Sequence, residues 1–188
     1  MGHNMKATDI LKQEHRIIER MLTSLEQITD RLEQGGEVKP QFFVAAADFA
    51  AEFADGCHHR KEENGLFQAM IERGMPRDAG PIAVMLAEHE QGRVYTQAIR
   101  TGAERLRAGE ADARLQVILN ARGYIALLRQ HITKEDTILF RLADQALPAA
   151  DQERLAEEFE RIAREEAGPG SHQKYLAVVE ALEKEAAP

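Results

Sequence analysis

His58-His59-Arg60-Lys61-Glu62-Glu63-Asn64-Gly65-Leu66-Phe67 and His131-Ile132-Thr133-Lys134-Glu135-Asp136-Thr137-Ile138-Leu139-Phe140 carry one register, His-x3-Glu-x3-Leu-Phe, written twice about 73 residues apart. A four-residue step places an imidazole and a carboxylate on the same helix face, one turn apart, where both reach a common centre. A single His-x3-Glu is weak evidence, because polar i,i+4 pairs are frequent on helix surfaces. Two copies with the same following Leu-Phe pair predict two helices that each deliver one histidine and one glutamate, as a carboxylate-bridged two-metal site requires.

Working outward, the flanks repeat as well: Leu11-Lys12-Gln13-Glu14-His15 parallels Met85-Leu86-Ala87-Glu88-His89. Punctuation divides the chain into helices. Thr8-Asp9 reads as the cap of a first helix carrying Ile10, Leu11, Ile17, Ile18, Met21, Leu22, Leu25 and Ile28 and ending at Gly35-Gly36. A second runs from Pro40 to about Arg73, a third from about Pro81 to Gly109, and a fourth from about Ala111 to Ala146, closed by Pro148. Beyond it, one helix is expected from Asp151 to about Glu166 and a last one capped by Ser171 after Gly168-Pro169-Gly170. The expected fold is all-α: an up-down-up-down four-helix bundle over residues 1–147, with additional C-terminal helices over 148–188 packed on it.

Composition agrees with this class. The 188 residues suffice for one substantial core, aromatics are 5% of the chain, and Trp is missing. A formal charge of -8 with scattered Lys and Arg excludes the concentrated positive surface that nucleic acids or anionic membranes require. No apolar run reaches the roughly 18 to 20 residues of a membrane span, and Met1-Gly2-His3-Asn4-Met5-Lys6 lacks a secretory apolar segment, so a cytoplasmic location is expected. The lone Cys57 forms no internal disulfide and reads as a core thiol or, alternatively, a redox group. Nothing in the sequence fixes an oligomeric state.

Helix heights bring further histidines to the register. His15 precedes the Gly35-Gly36 turn by about 20 residues and His58 follows it by about 22; His89 and His131 stand in the same relation to Gly109. At 1.5 Å per residue, all four lie about 30 Å from their turns. The candidate metal ligands are therefore His15, His58, Glu62, His89, His131 and Glu135, one shared site on a pseudo-twofold axis. Six N and O donors suit iron or manganese; zinc is a weaker fit because no cysteine ligand accompanies them.

Neighbouring residues leave alternatives. His59-x3-Glu63 competes with His58-x3-Glu62, but the Leu-Phe register selects His58 and leaves His59 as a flanking residue. His15-x3-Glu19 has no counterpart, since His89 is followed four residues on by Arg93, and Glu19 reads as a surface group or as one that supports a ligand from outside. Glu14 and Glu88 each precede a ligand histidine and either orient a histidine on a neighbouring helix or solvate the surface. Tyr124 reads as a core tyrosine or as a phenol reaching the site. Gly65, Gly92 and Gly123 mark either close helix packing or space for a small ligand. His3 falls in the terminus, and His172 reads as a residue of the last helix's first turn rather than a seventh ligand.

On these residues, Gln13-Glu14-His15, His58-His59-Arg60-Lys61-Glu62-Glu63, Ala87-Glu88-His89-Glu90 and His131-Ile132-Thr133-Lys134-Glu135-Asp136, the chain resembles the hemerythrin-like, or HHE cation-binding, family. The resemblance covers roughly residues 8 to 147, with a family-like Gly-Pro-Gly-Ser-His tail. It implies a non-haem di-iron centre in which His15, His58, His89 and His131 ligate two iron ions and Glu62 and Glu135 bridge them. Oxygen-carrying hemerythrins use five histidines and an aspartate, and Arg93 stands where their third helix carries a second histidine. The pattern is similar to bacterial HHE proteins linked to nitric oxide, peroxide and iron-centre repair, without the Cys-containing N-terminal domain of the repair proteins. The expected function is binding or sensing of a small oxidant or diatomic ligand such as oxygen, nitric oxide or peroxide. The alternatives are a di-iron enzyme of peroxide or nitric oxide detoxification, iron storage or donation, and a structural metal bundle.

Overall fold

The computed structural model describes residues 5–168 and 170–187, which form six helices and, among the described residues, no strand. Helix α1 is Ala7–Glu33 and α2 spans residues 40–72; α3 is Gly80–Arg107 and α4 spans 113–146. Two further helices, α5 (Ala149–Ala167) and α6 (Ser171–Ala186), follow. Neighbours pack in the cyclic order α1, α2, α3, α4, each antiparallel to the next in sequence, while α5 and α6 lie against α1 and α2. This is the expected bundle with its additional helices.

The turns between α1 and α2 and between α3 and α4 repeat one backbone solution. Gly35 and Gly109 adopt φ of 89° and 79°, a left-handed conformation that a side chain would strain. Each is bracketed by the paired bonds of a Schellman motif: Gly36 N–H donates to the Arg31 carbonyl at 2.9 Å and Glu110 N–H to the Arg105 carbonyl at 3.2 Å.

The start of α1 differs from expectation. Lys6, not Thr8, precedes the helix, and no side chain caps it locally. The Thr8 hydroxyl instead donates to Asp144 Oδ1 at 2.8 Å, and the orphan Ala7 N–H donates to Gln152 Oε1 of α5 at 3.1 Å. Tertiary partners have replaced the local cap, because burial of this helix start brings α4 and α5 within reach. At the other end, Gly170 precedes α6 and Ser171 is already its first helical residue. His3 and Pro169 lie outside the described residues.

Apolar side chains divide into two clusters. One, at the turn end shared by α1–α2 and α3–α4, is built from Ile18, Leu22, Phe42, Phe53, Ile99 and Val117, with Tyr175 and Leu182 of α6. The other gathers Leu11, Leu66, Phe67, Met85, Leu139 and Phe140 with Leu155 and Phe159 of α5. On all four bundle helices the histidines fall between these clusters. A buried polar layer thus sits sealed between two oily ones, a placement that costs stability unless its groups are paired or ligate an ion.

Candidate metal centre

In α2 and α4 each inward glutamate opens a local change of winding. Residues Glu62–Leu66 in α2 and Glu135–Leu139 in α4 form widened π-helical turns, at equivalent points of the repeat. Such turns recur at functional sites because they re-aim side chains relative to a regular helix. α2 carries a second, longer π segment, Ala50–His59, just before. The repeated Leu-Phe half of the register now has a physical role. Phe67 stacks on His89 at 5.9 Å between ring centroids, and Phe140 stacks on His15 at 5.4 Å, so each aromatic forms the floor under the opposite hairpin's first histidine.

His15, His58, His89, His131, Glu62 and Glu135 all converge, each at most 1% exposed. Glu62 lies between two imidazoles of different hairpins, its Oε1 3.3 Å from His58 Nε2 and its Oε2 3.4 Å from His89 Nε2. Glu135 does the same, with Oε2 3.2 Å from both His15 Nε2 and His131 Nε2. These short approaches lack hydrogen-bond geometry: all four oxygens of Glu62 and Glu135, and His15 Nε2, have no hydrogen-bond partner. Buried carboxylates left in that condition are costly. Donor atoms gathered around a common point, with His89 Nε2 and His131 Nε2 brought to 3.2 Å of each other, are what a bound cation would organise.

The outer nitrogens are all occupied. His15 Nδ1 meets Asp136 at 2.8 Å, His58 Nδ1 meets Glu14 at 2.9 Å, His89 Nδ1 meets Glu63 at 2.8 Å, and His131 Nδ1 meets Glu88 at 3.0 Å. Each bond joins two different bundle helices. Glu14 and Glu88 thus orient a histidine on a neighbouring helix rather than the one beside them in sequence. The same device is supplied by Glu63 and Asp136, the residues following the inward glutamates, which sequence inspection left out. Lys61 and Lys134 ion-pair with Glu14 and Glu88, completing the repeat. A carboxylate on Nδ1 fixes the tautomer with Nε2 free to ligate.

Electrostatics match this reading. Burial pulls the His58 and His131 imidazoles down, but the facing glutamates outweigh it and lift both to about 10. Burial and the Glu62 charge push the Glu135 carboxyl up, yet His131 and His15 prevail and hold it at about 2. Glu62 likewise falls well below the usual range: His58 and His89 overcome its burial. Without a cation the imidazolium groups neutralise the inner carboxylates; once ligation makes the imidazoles neutral, only a metal ion can.

His59, set aside by the register, is buried as well. Its ring lies 3.8 Å from that of His89 at an interplanar angle of 11°, and Nδ1 stands 3.4 Å from Asp55 Oδ1. Burial and the neighbouring His89 depress it to about 3, so it is neutral. Two tetrads of donor atoms emerge, His15, His58, Glu62 and Glu135 in one, and His59, Glu62, His89 and His131 in the other. The signal for His59 was the His-His doublet itself, read through a π turn instead of a regular helix.

Other expected residues take definite places. Tyr124 is buried, its phenol pushed up by burial. A Cβ on Gly92 would sit in ordinary contact, 3.8 Å from Tyr124 Cε2. Gly65 opens no pocket beside the centre: a Cβ there would lie 2.8 Å from Phe159 Cε1, so that glycine admits α5. Gly123 similarly admits the Tyr95 ring. Arg93 binds Asp55, Glu63 and Glu90. Cys57 is buried in the apolar core, and burial lifts its thiol, as suits an inert group. His172 is exposed and takes no part in either tetrad.

The family model described as hemerythrin HHE cation binding domain matches residues 6–143. The chain belongs to this family. Both donor tetrads fall inside the matched HHE region, as do the four imidazole–carboxylate pairs. Relatives of this HHE protein include uncharacterized proteins of Mycobacterium bovis and Mycobacterium tuberculosis, each 24% identical over 178 residues that cover 95% of this chain and 69% of the relative. No solved structure is matched. Among the described residues of the HHE chain, no helix is long and apolar enough to cross a membrane.

Proposed function

We propose that this HHE protein is a non-haem di-iron protein that binds or senses a small oxidant or diatomic molecule, such as oxygen, nitric oxide or peroxide. The observation that carries the reading is the pair of buried glutamates, each spanning one imidazole of either hairpin with its oxygens otherwise unpartnered. His15 and His58 would hold one ion, His89 and His131 the other, with Glu62 and Glu135 between them. Two iron ions, when bound, supply coordination positions and electrons to such a molecule.

The chain's own residues define what can reach them. Apolar layers above and below the centre exclude bulk water and large or charged substrates, favouring a small neutral guest. Glu14, Glu63, Glu88 and Asp136 hold Nδ1 protons and keep each imidazole aimed inward. Gly92, three residues after His89, leaves ordinary van der Waals clearance beside the Tyr124 ring.

Metal analysis and optical spectra of protein purified without air test the reading. Two irons per chain, with a visible spectrum that changes reversibly on exposure to oxygen or nitric oxide, are expected. A metal-loaded protein whose spectrum ignores every such ligand would refute the binding role. Turnover is the second reading, favoured by Tyr124, which is buried and whose ring lies beside Gly92, three residues after His89. Peroxide or nitric oxide consumption that disappears in His131→Ala would establish it.

A further inference from the structure

We propose that the outer face of α3 and α4 is where a second copy of this chain docks, giving a twofold dimer of bundles. The inference is independent of what the metal centre binds. In α3, Val84, Ala87, Gln91, Val94, Ala98 and Thr101 follow one another at alternating three- and four-residue steps, the spacing of a helix–helix seam. The row points outward, exposed at every position but the half-buried Ala98, and it holds no charge in a chain of which 30% is charged. α4 presents a matching row, Leu119, Ala126, Gln130, Thr133 and Thr137, exposed and equally uncharged. Among the described residues, five of the six exposed large apolar side chains lie on these two helices.

The first hairpin has a cover at the equivalent row. Aligning His15 with His89 and Gly35 with Gly109 sets Ile17, Arg20 and Ser24 of α1 against Gln91, Val94 and Ala98 of α3. Ile17 and Ser24 are buried, and Glu183 of α6 accepts two bonds of 2.8 Å from the Arg20 guanidinium. α6 thus occupies on α1 the place that stands open on α3.

Charge selects the occupant. The cations bordering the open face are already engaged: Lys134 by Glu88, Arg93 by Asp55, Glu63 and Glu90, and Arg122 by Asp30 and Glu33. Residues 80–146 carry no negative excess, while residues 1–79 and 147–188 both do, so two chains of charge -8 repel least through this face. Glutamines and threonines among its valines and alanines make the face too polar for a lipid surface, and a like face complements it. Paired antiparallel across a twofold axis, the α3 rows set Val84 against Thr101, Ala87 against Ala98 and Gln91 against Val94, and the alanines permit close approach. The face measures roughly 26 Å by 20 Å, so a pair buries about 1,000 Å², the size at which specific interfaces begin.

Sedimentation velocity on the full chain from about 1 to 300 µM tests the proposal, with circular dichroism as the check on folding. The wild type is expected to pass from 21.1 kDa monomers to dimers of twice that mass, with a midpoint in the micromolar range. Val94→Arg and Leu119→Arg replace side chains 57% and 60% exposed and should stay folded. Each should raise the dissociation constant by about 100-fold or more, because the twofold axis buries every added charge twice. Gln27→Arg, which stands in α1 where Thr101 stands in α3, should leave the dimer intact. A wild type that stays monomeric throughout overturns the proposal, as does a dimer that survives either α3 or α4 variant or is lost in Gln27→Arg as well. Wild-type binding to neutral phosphatidylcholine vesicles, abolished by Val94→Arg, would reassign the face to a lipid surface and likewise overturn it.

Discussion

The two hairpins, α1 with α2 and α3 with α4, carry the same ligand register but bury it differently. In the first, Lys61 and Glu14 are almost wholly covered, with side chains 3% and 9% exposed; in the second, their equivalents Lys134 and Glu88 are 34% and 19% exposed. Leu66 and Gly65 of the first hairpin lie beneath Leu155 and Phe159 of α5. At the position equivalent to Gly65, the second hairpin has Ile138, 52% exposed beside an open apolar groove lined by Pro81, Val84 and Met85. The comparison teaches that ligand geometry and burial are separately encoded: the repeat sets the former, and the C-terminal helices, present on one side, set the latter.

The strongest challenge to the symmetric part is removal of either shared carboxylate. Glu62→Ala and Glu135→Ala should each abolish paired metal loading, measured as a fall from about two ions per chain to one or none. A variant that still holds two ions would make its glutamate a bystander and break the equivalence of the hairpins. The asymmetric part is tested by the lysines. Lys61→Ala strips a buried carboxylate of its cation and should cost about 3 to 5 kcal/mol in denaturant unfolding, whereas Lys134→Ala at the partly solvated pair should cost about 1 kcal/mol or less. Equal losses would erase the distinction.

A smaller effect is expected at the α5 contact. Gly65→Val forces Phe159 aside and should destabilise by about 1 to 3 kcal/mol, while Ile138→Gly loses little beyond helix propensity, about 1 kcal/mol. The smallest signal concerns protons. His58 and His131 have pKa values near 10 in the metal-free chain, above a working pH of about 8, so each is protonated and must shed that proton to ligate. Adding iron(II) in a pH-stat should release at least two protons per chain, since His15 and His89 are also raised by their carboxylate partners. Release of none would mean that the imidazoles are already neutral.

Much of this was legible from spacing. The His-x3-Glu-x3-Leu-Phe repeat and the matched distances to Gly35 and Gly109 place six side chains in one layer, and the structure gathers them there. Glu63, Asp136 and His59 were not legible for a common reason: each lies one residue after an inward-facing position, and regular helical periodicity points such neighbours away. Glu63 and Asp136 instead reach a histidine of the neighbouring helix, as Glu14 and Glu88 do, while His59 ends the π winding of Ala50–His59, which nothing in composition announces. The start of α1 was misjudged because Asp144 and Gln152, distant in sequence, satisfy groups that a local cap would otherwise serve. Gly65 was ambiguous between space and packing until Phe159 was seen to fill it.

Followed around the bundle, the four imidazole–carboxylate bonds run from α1 to α4, α4 to α3, α3 to α2 and α2 back to α1. They form a hoop. No helix can drift outward without breaking two of its joints. Spreading of the histidine layer is therefore resisted by the four helices as one unit rather than helix by helix.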